Sequence, residues 1–327
     1  MIKYLLRRSI GWLLMIVVAT NLTYFLAWGF LDPKNNFVGR RPPLSPEQID
    51  QQLIPKNLSD TVPLIERWWT WLSNILLRWD WGVSPTGGSV NEQVAYRMWI
   101  SAELVLGATI ISTILGIALG VYTASRQYKL ADRIGQATSI ITMNVNIVVA
   151  ALALVLLAIN FNEWVGVRVF YVTGSSSKGV EGFFPVLVDA LQHLVLPTIA
   201  LVIVGYANIH FLQRSLLLDN IGADYVRTAR AKGLTKPQAI RKHALRTSMI
   251  PVATQVAFTI PAIFTGAVLT ETIFAWNGMG RYFVDALGKN DINATVAIAA
   301  FGAVLTAIGA ILADMAVVVL DPRVRVS

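Results

Sequence analysis

Residues 101–125 read SAELVLGATIISTILGIALGVYTAS, twenty-five residues with one charge, Glu103. About 20 helical residues cross a hydrocarbon core of roughly 30 Å, so a stretch of this length and apolarity predicts a membrane span. Inside lipid the backbone must satisfy its own hydrogen bonds, which makes such a span a helix. Five further stretches carry the same signature: 9–31, 135–159, 193–215, 249–274 and 293–320. The alternating ten-residue segments of a transmembrane barrel are missing. Composition agrees, because 55% of the 327 residues are apolar and only 14% are charged, against about 25% charged in soluble domains. The expected fold class is therefore an all-α polytopic membrane protein with six spans. The first span follows Lys3, Arg7 and Arg8 but exceeds a signal peptide's apolar length, and it reads as an uncleaved anchor.

With no cysteine in the chain, disulfides, thiolate metal sites and cysteine nucleophiles are excluded. The net charge of +8 would fit nucleic acid, but its distribution explains it otherwise. One set of connections (the N-terminus, 126–133, 214–246 and the tail after 320) holds sixteen Lys and Arg against four acids. The other set (32–98, 160–191 and 275–292) holds eleven against twelve. The rule that basic loops stay inside places both termini in the cytoplasm, and nucleic acid is not expected as a partner.

The chain thus divides into 1–31 (N-terminus and first span), an external segment 32–98, a five-helix core 99–320 with a cytoplasmic loop 216–248, and a tail 321–327. The external segment begins with prolines (Pro42, Pro43, Pro46, Pro55, Pro63), which predict extended chain with short turns. Trp68, Trp69, Trp71, Trp79 and Trp81 follow. They predict a helix against the outer membrane interface, with a small folded cap as the alternative.

The cytoplasmic loop reads IGADYVRTARAKGLTKPQAIRKHALRTSMI over 221–250. Asp224 is expected as an N-cap, a short helix follows, and Gly233 fits a left-handed stop. Thr235 starts a second helix, with Gln238 at the capping-box position and Pro237 in the first turn. Pro251 is expected to bend that helix. An eight-residue helix is marginal alone and needs a surface. Tyr225, Val226, Ala229 and Leu234 offer it apolar contacts; Arg227, Arg230 and Lys232 offer charge. The competing reading is a basic helix on anionic lipid.

The string DYVRTARAKGL followed by RKHALR and a proline resembles the cytoplasmic loop of bacterial ABC importer permeases of the oligopeptide/dipeptide family. Against the general importer motif, only Ala229, Gly233 and Leu245 match, which argues against a sugar or phosphate permease. Further likenesses are ETIFAWNGMGRYFVDAL at 271–287, with Glu271, Trp276, Gly278 and Gly280, WDWGVS at 79–84, the opening YLLRRS, and LDPRVR at 320–325. The large external segment is typical of the first of two paired permeases. Segment 32–78 matches weakly, and Asn144-Val145-Asn146 stands where the family often carries proline. The resemblance implies the six-helix fold of type I ABC importer permeases. It also implies a role in ATP-driven oligopeptide or dipeptide import in the bacterial inner membrane. Implied partners are a second homologous permease, two cytoplasmic ATPases that bind the ATP and Mg, and an external binding protein. Residues Asp224, Tyr225, Val226, Arg227, Thr228, Ala229, Arg230, Ala231, Lys232, Gly233 and Leu234, with Leu245, are then the ATPase-coupling site. Nickel chelates, glutathione or another small solute are alternative cargoes on this fold.

No G-x-x-x-x-G-K-[ST] loop is present, so the chain is not expected to hydrolyse ATP, bind a cofactor or catalyse a reaction. Its three histidines are scattered, and no metal site is assigned. Asn144, Asn146, Gln255 and Thr259 are candidate pathway residues; with Asn208 and His210, their first reading is hydrogen bonding between helices. Glu103, Glu271 and Asp314 are costly in lipid and should face protein or water. Their places near span ends favour structural ion pairing, Asp314 with Arg246 for example, over the proton relay of an ion-coupled transporter. Such a transporter would also show broken helices in related halves.

Overall fold

In a computed structural model the chain is a bundle of long helices with a helical cap at one end. The structure describes residues 2–39, 41–265 and 267–320; the side chains of 2–6, 257–265 and 316–320 fall outside it. The helices are α1 (Ile2–Phe30), α2 (Pro46–Leu53), α3 (Leu64–Arg78), α4 (Val90–Ser125), α5 (Leu130–Asn144), α6 (Ile147–Val165) and α7 (Phe183–Ile221). They continue with α8 (Asp224–Ala231), α9 (Lys236–Ala239), α10 (Leu245–Thr265), α11 (Val268–Ile273), α12 (Met279–Gly288) and α13 (Ile292–Leu320). Among the described residues there is no strand, only an isolated bridge between Val83 and Ser89.

Among the described residues, five helices are long and apolar enough to cross a membrane: the parts Arg7–Phe30 and Ile292–Met315 of α1 and α13, and all of α4, α6 and α7. The remaining predicted span falls on α10 and α11, partly outside the described residues. The expected span 135–159 is corrected. Its first third belongs to α5, which ends at Asn144, and the apolar crossing is α6. Asparagine chemistry makes the break. Asn146 takes extended backbone and its Oδ1 accepts from Val148 N at 2.8 Å, capping α6, while Asn144 folds back onto Ile140 O.

The bundle is held by close approach. α4 and α7 pack along much of their length, and a Cβ on Gly116 or Gly120 would stand 2.7 Å from Ile209 or 2.8 Å from Gln213. Glycine here removes the atom that would hold the axes apart.

Segment 32–98 is extended only in part: Pro42, Pro43 and Pro63 lie outside helices as expected, whereas Pro46 and Pro55 lie in helical turns. Pro33 and Pro46 sit in first turns, where a missing N–H costs nothing. Ser45 and Gln48 form a reciprocal capping box at the start of α2. Phe37, Leu53, Leu58 and Trp71 bury one core with Tyr24 and Ala27 of α1 and Ile292 and Val296 of α13. The segment is folded, and its Trp-rich stretch forms α3 within it.

Candidate functional site

At the opposite end of the bundle α8 makes the corner. Ala223, not Asp224, is its N-cap, because Val226 N and Arg227 N both bond to Ala223 O. Asp224 is the first helical residue, where its charge still favours the helix dipole. The stop is as expected: Gly233 has φ +97, Gly233 N bonds to Arg230 O at 3.0 Å, and Leu234 N bonds to Ala229 O at 3.3 Å. This pair of bonds is a Schellman motif, which satisfies carbonyls the helix leaves open. Gln238 Oε1 then accepts from Thr235 N at 3.0 Å, opening α9. The chain enters α10 through one wide turn at Ile240–Ala244, and α10 runs on through Pro251. The irregularity therefore precedes the proline.

The surface that α8 needs is supplied by its own chain. Val226 and Ala229 are buried against Ala124 of α4, Leu217 of α7 and Ala239, Ile240 and Ala244. Leu234 packs at the edge of this cluster, and Leu245, the first residue of α10, is half-buried. The outward arc holds Asp224, Tyr225, Arg227, Thr228, Arg230, Ala231, Lys232 and Gly233. Tyr225 OH donates to Asn220 Oδ1. Arg227 and Asp224 form a loose pair at 3.7 Å between fully solvated side chains, a contact of little energetic weight. The expected apolar contacts thus divide: Val226 and Ala229 brace the helix, and Tyr225 is left on the surface.

Behind the corner, polar ties join the helices. Thr123 donates its hydroxyl proton to Leu119 O (2.8 Å), so it accepts from His210 Nε2–H (3.0 Å), and Ser139 then donates to His210 Nδ1 (2.7 Å). The imidazole, fully buried, links α4, α5 and α7. Gln213 donates to Ser248 on α10 at 2.9 Å. Asp132 receives Arg214 through two bonds of 2.7 and 2.9 Å. That guanidinium, helped by Tyr128 N–H, holds the Asp132 carboxyl below the usual carboxylate range.

Asn144 and Asn146 lie at the helix break, exposed and engaged locally, and Gln255 is exposed on α10; the side chain of Thr259 lies outside the described residues. Asp314 pairs with Arg8 at 2.5 Å instead of Arg246, because α1 and α13 pack together. Glu103 stays on the surface of α4. Glu271 is buried, but its partners are hydrogen-bond donors: Ser101 Oγ at 2.6 Å and Arg281 N at 3.0 Å. Ser101 Oγ in turn accepts from Met279 N, and Trp276 Nε1 donates to Ile100 O. One carboxylate thus closes the start of α12 onto α4. Gly278 is obligatory there, since a Cβ would meet Ser101 Oγ at 2.3 Å. Sequence reading saw the acid and the glycines of this lock but missed Ser101, which looked like an ordinary residue of its span.

A multi-pass helical bundle with a braced, outward-facing helix–glycine corner at one end defines a membrane permease architecture. The family described as binding-protein-dependent transport system inner membrane component matches residues 116–326, and the N-terminal family of the same system matches 1–88. The chain belongs to this family, in its oligopeptide/dipeptide permease branch. It is similar to the oligopeptide transport system permease protein OppB of Mycobacterium tuberculosis, 36% identical over 328 residues and the full length of both chains. The dipeptide transport system permease proteins DppB of Bacillus subtilis (30% over 332 residues, 99% and 98% of the two chains) and Escherichia coli (30% over 346 residues, 99% of each) are also similar. The match over 1–88 includes the segment 32–78 that residue comparison alone left weakly matched.

Proposed function

We propose that this chain is a translocation subunit of an ATP-driven importer of oligopeptides or dipeptides. It works beside a second homologous permease in a bacterial inner membrane, with both termini in the cytoplasm. Two cytoplasmic ATPases supply ATP and Mg binding, an external binding protein delivers peptide, and the chain itself does no hydrolysis. The observation that carries the reading is α8. Its apolar arc is spent on the chain's own helices, while Tyr225, Arg227, Thr228 and Arg230 face outward. Full-length likeness to peptide permeases supports the same conclusion.

A braced helix transmits force where a loose one would absorb it. Movement of a seated ATPase against the outward arc would pass through Val226 and Ala229 into the ends of α4 and α7, biasing a core with two packings. Since the chain has no native cysteine, Thr228→Cys offers a clean crosslink in the assembled complex. Crosslinking to an ATPase subunit, with peptide and binding protein stimulating hydrolysis, is expected. Purification without any ATPase, or a Thr228 crosslink only to lipid, would sink the proposal.

A further inference from the structure

The Trp-rich helix α3 carries a surface that the transport reading leaves unused. At helical spacing, Ile65, Trp69 and Leu76 lie on one side, and Trp79 follows as the left-handed C-cap; all are largely exposed, at 66%, 63%, 73% and 69%. The opposite arc carries Glu66, Thr70, Asn74 and Arg78, with one exposed apolar residue, Leu77, among them. A soluble cap has no reason to present two exposed tryptophans and two aliphatic side chains to water.

The contacts of α3 fix its depth. Trp68 Nε1 donates to Asn21 Oδ1 at 2.7 Å, and its ring stacks on Phe25. Asn21 lies nine residues before Phe30, the end of α1, and so about 14 Å below it along the helix. At the other end of α3, Trp79 shares the wall of an apolar cavity of ≈ 250 Å³ with Ala297 and Phe301 of α13. Phe301 lies nine residues past Ile292, again about 14 Å from the helix end. Both helices cross the membrane, so the rings of Trp68 and Trp79 reach beside the apolar part of the spans, while Trp71 between them packs on Ile292 and Val296 at the start of α13. The exposed arc is also continuous, through Phe25, with the exposed apolar side of α1 at Leu22 and Leu26.

We propose that α3 lies in the membrane plane as an amphipathic anchor. Ile65, Trp69, Leu76 and Trp79 sink among the headgroups and upper acyl chains of the leaflet at the cap end. Tryptophan suits that zone because its ring is apolar and its N–H still finds a polar partner. The polar arc faces water, Arg67 and Trp71 are buried toward the cap, and the anchor fixes the height of the cap over the bundle. The inference rests on the multi-pass class alone, so it stands or falls separately from peptide import.

Absence of cysteine makes the test direct. Trp69→Cys and Leu76→Cys, with Gln51→Cys on α2 as the water-facing control, are spin-labelled in the assembled transporter in phospholipid nanodiscs. Collisions with lipid-soluble oxygen and with a water-soluble nickel chelate are then compared. Labels at 69 and 76 are expected to favour oxygen several-fold, and the label at 51 to favour nickel. Nickel access at 69 and 76 equal to that at 51 would overturn the proposal. So would shielding from both reagents, which would mean that a protein partner covers the face. As a second readout independent of those two variants, lipids brominated near the headgroup should quench tryptophan emission less in Trp69→Phe than in the unsubstituted protein. Equal quenching in the two would count against the anchor.

Discussion

Two glycines illustrate different reasons for having no side chain. Gly233 has open space where a Cβ would go but a φ of +97, so Gly233→Ala should cost only backbone strain, about 1–2 kcal/mol. Gly278 has ordinary backbone but a Cβ would strike Ser101 and Glu271, so Gly278→Ala should cost about 2–3 kcal/mol through overpacking and a broken lock. Thermal unfolding in detergent should rank Gly278→Ala as the more damaging. Gly233→Trp, in contrast, should leave assembly intact and uncouple ATP hydrolysis from uptake; unchanged transport in a normally assembled complex would refute that role for the corner. His210 belongs to the same scale. His210→Ala removes the partner of two buried hydroxyls, and a loss of about 1–3 kcal/mol in the same assay is expected.

Among elements, the tie between α5 and α7 has a pH signature. Arg214 lowers the Asp132 pKa in the folded state, so this contribution is fully present above the usual carboxylate range and fades as pH falls through the lowered value. Asp132→Asn should destabilise by about 3 kcal/mol at neutral pH, leaving Arg214 without its counter-charge. The gap to the unsubstituted protein should start to close only below about pH 4. A gap independent of pH down to that range and beyond would remove the ion pair as its cause. Elements were also where sequence and structure diverged most. The long apolar stretches gave α1, α4, α7 and α13 directly, because hydropathy over 20 residues is a strong signal. The capped corner at Thr235 and Gly233 was equally legible, since caps are local chemistry. The break at Asn144–Asn146 was not, because two asparagines in an apolar run do not say whether they cap a new helix or hydrogen-bond a neighbour. The partners of Val226 on α4 and α7 and the pairing of Arg8 with Asp314 were hidden for a different reason: both depend on which helices touch, and one sequence does not encode that visibly.

For the whole molecule, the two ends act as separate structural units. The lock at Glu271 reaches α4 at Ser101, and the imidazole tie reaches it at Thr123. Twenty-two helical residues separate them, about 33 Å. Substitutions so far apart with no shared partner should add, so Gly278→Ala combined with His210→Ala should equal the sum of the single effects within about 0.5 kcal/mol. A larger coupling would mean that the bundle senses both ends in its resting stability.

The same distance has a second consequence. α4 is one unbroken helix fastened at Ser101 and at Thr123, and glycines hold it close against α7. If the fastening at Ser101 acts as a pivot, a tilt of only ~5° displaces the Thr123 end by ~3 Å over that length. Small angular play at the cap would then become a side-chain-sized displacement beneath the corner. An equal tilt about the Thr123 end would swing Ser101 by as much.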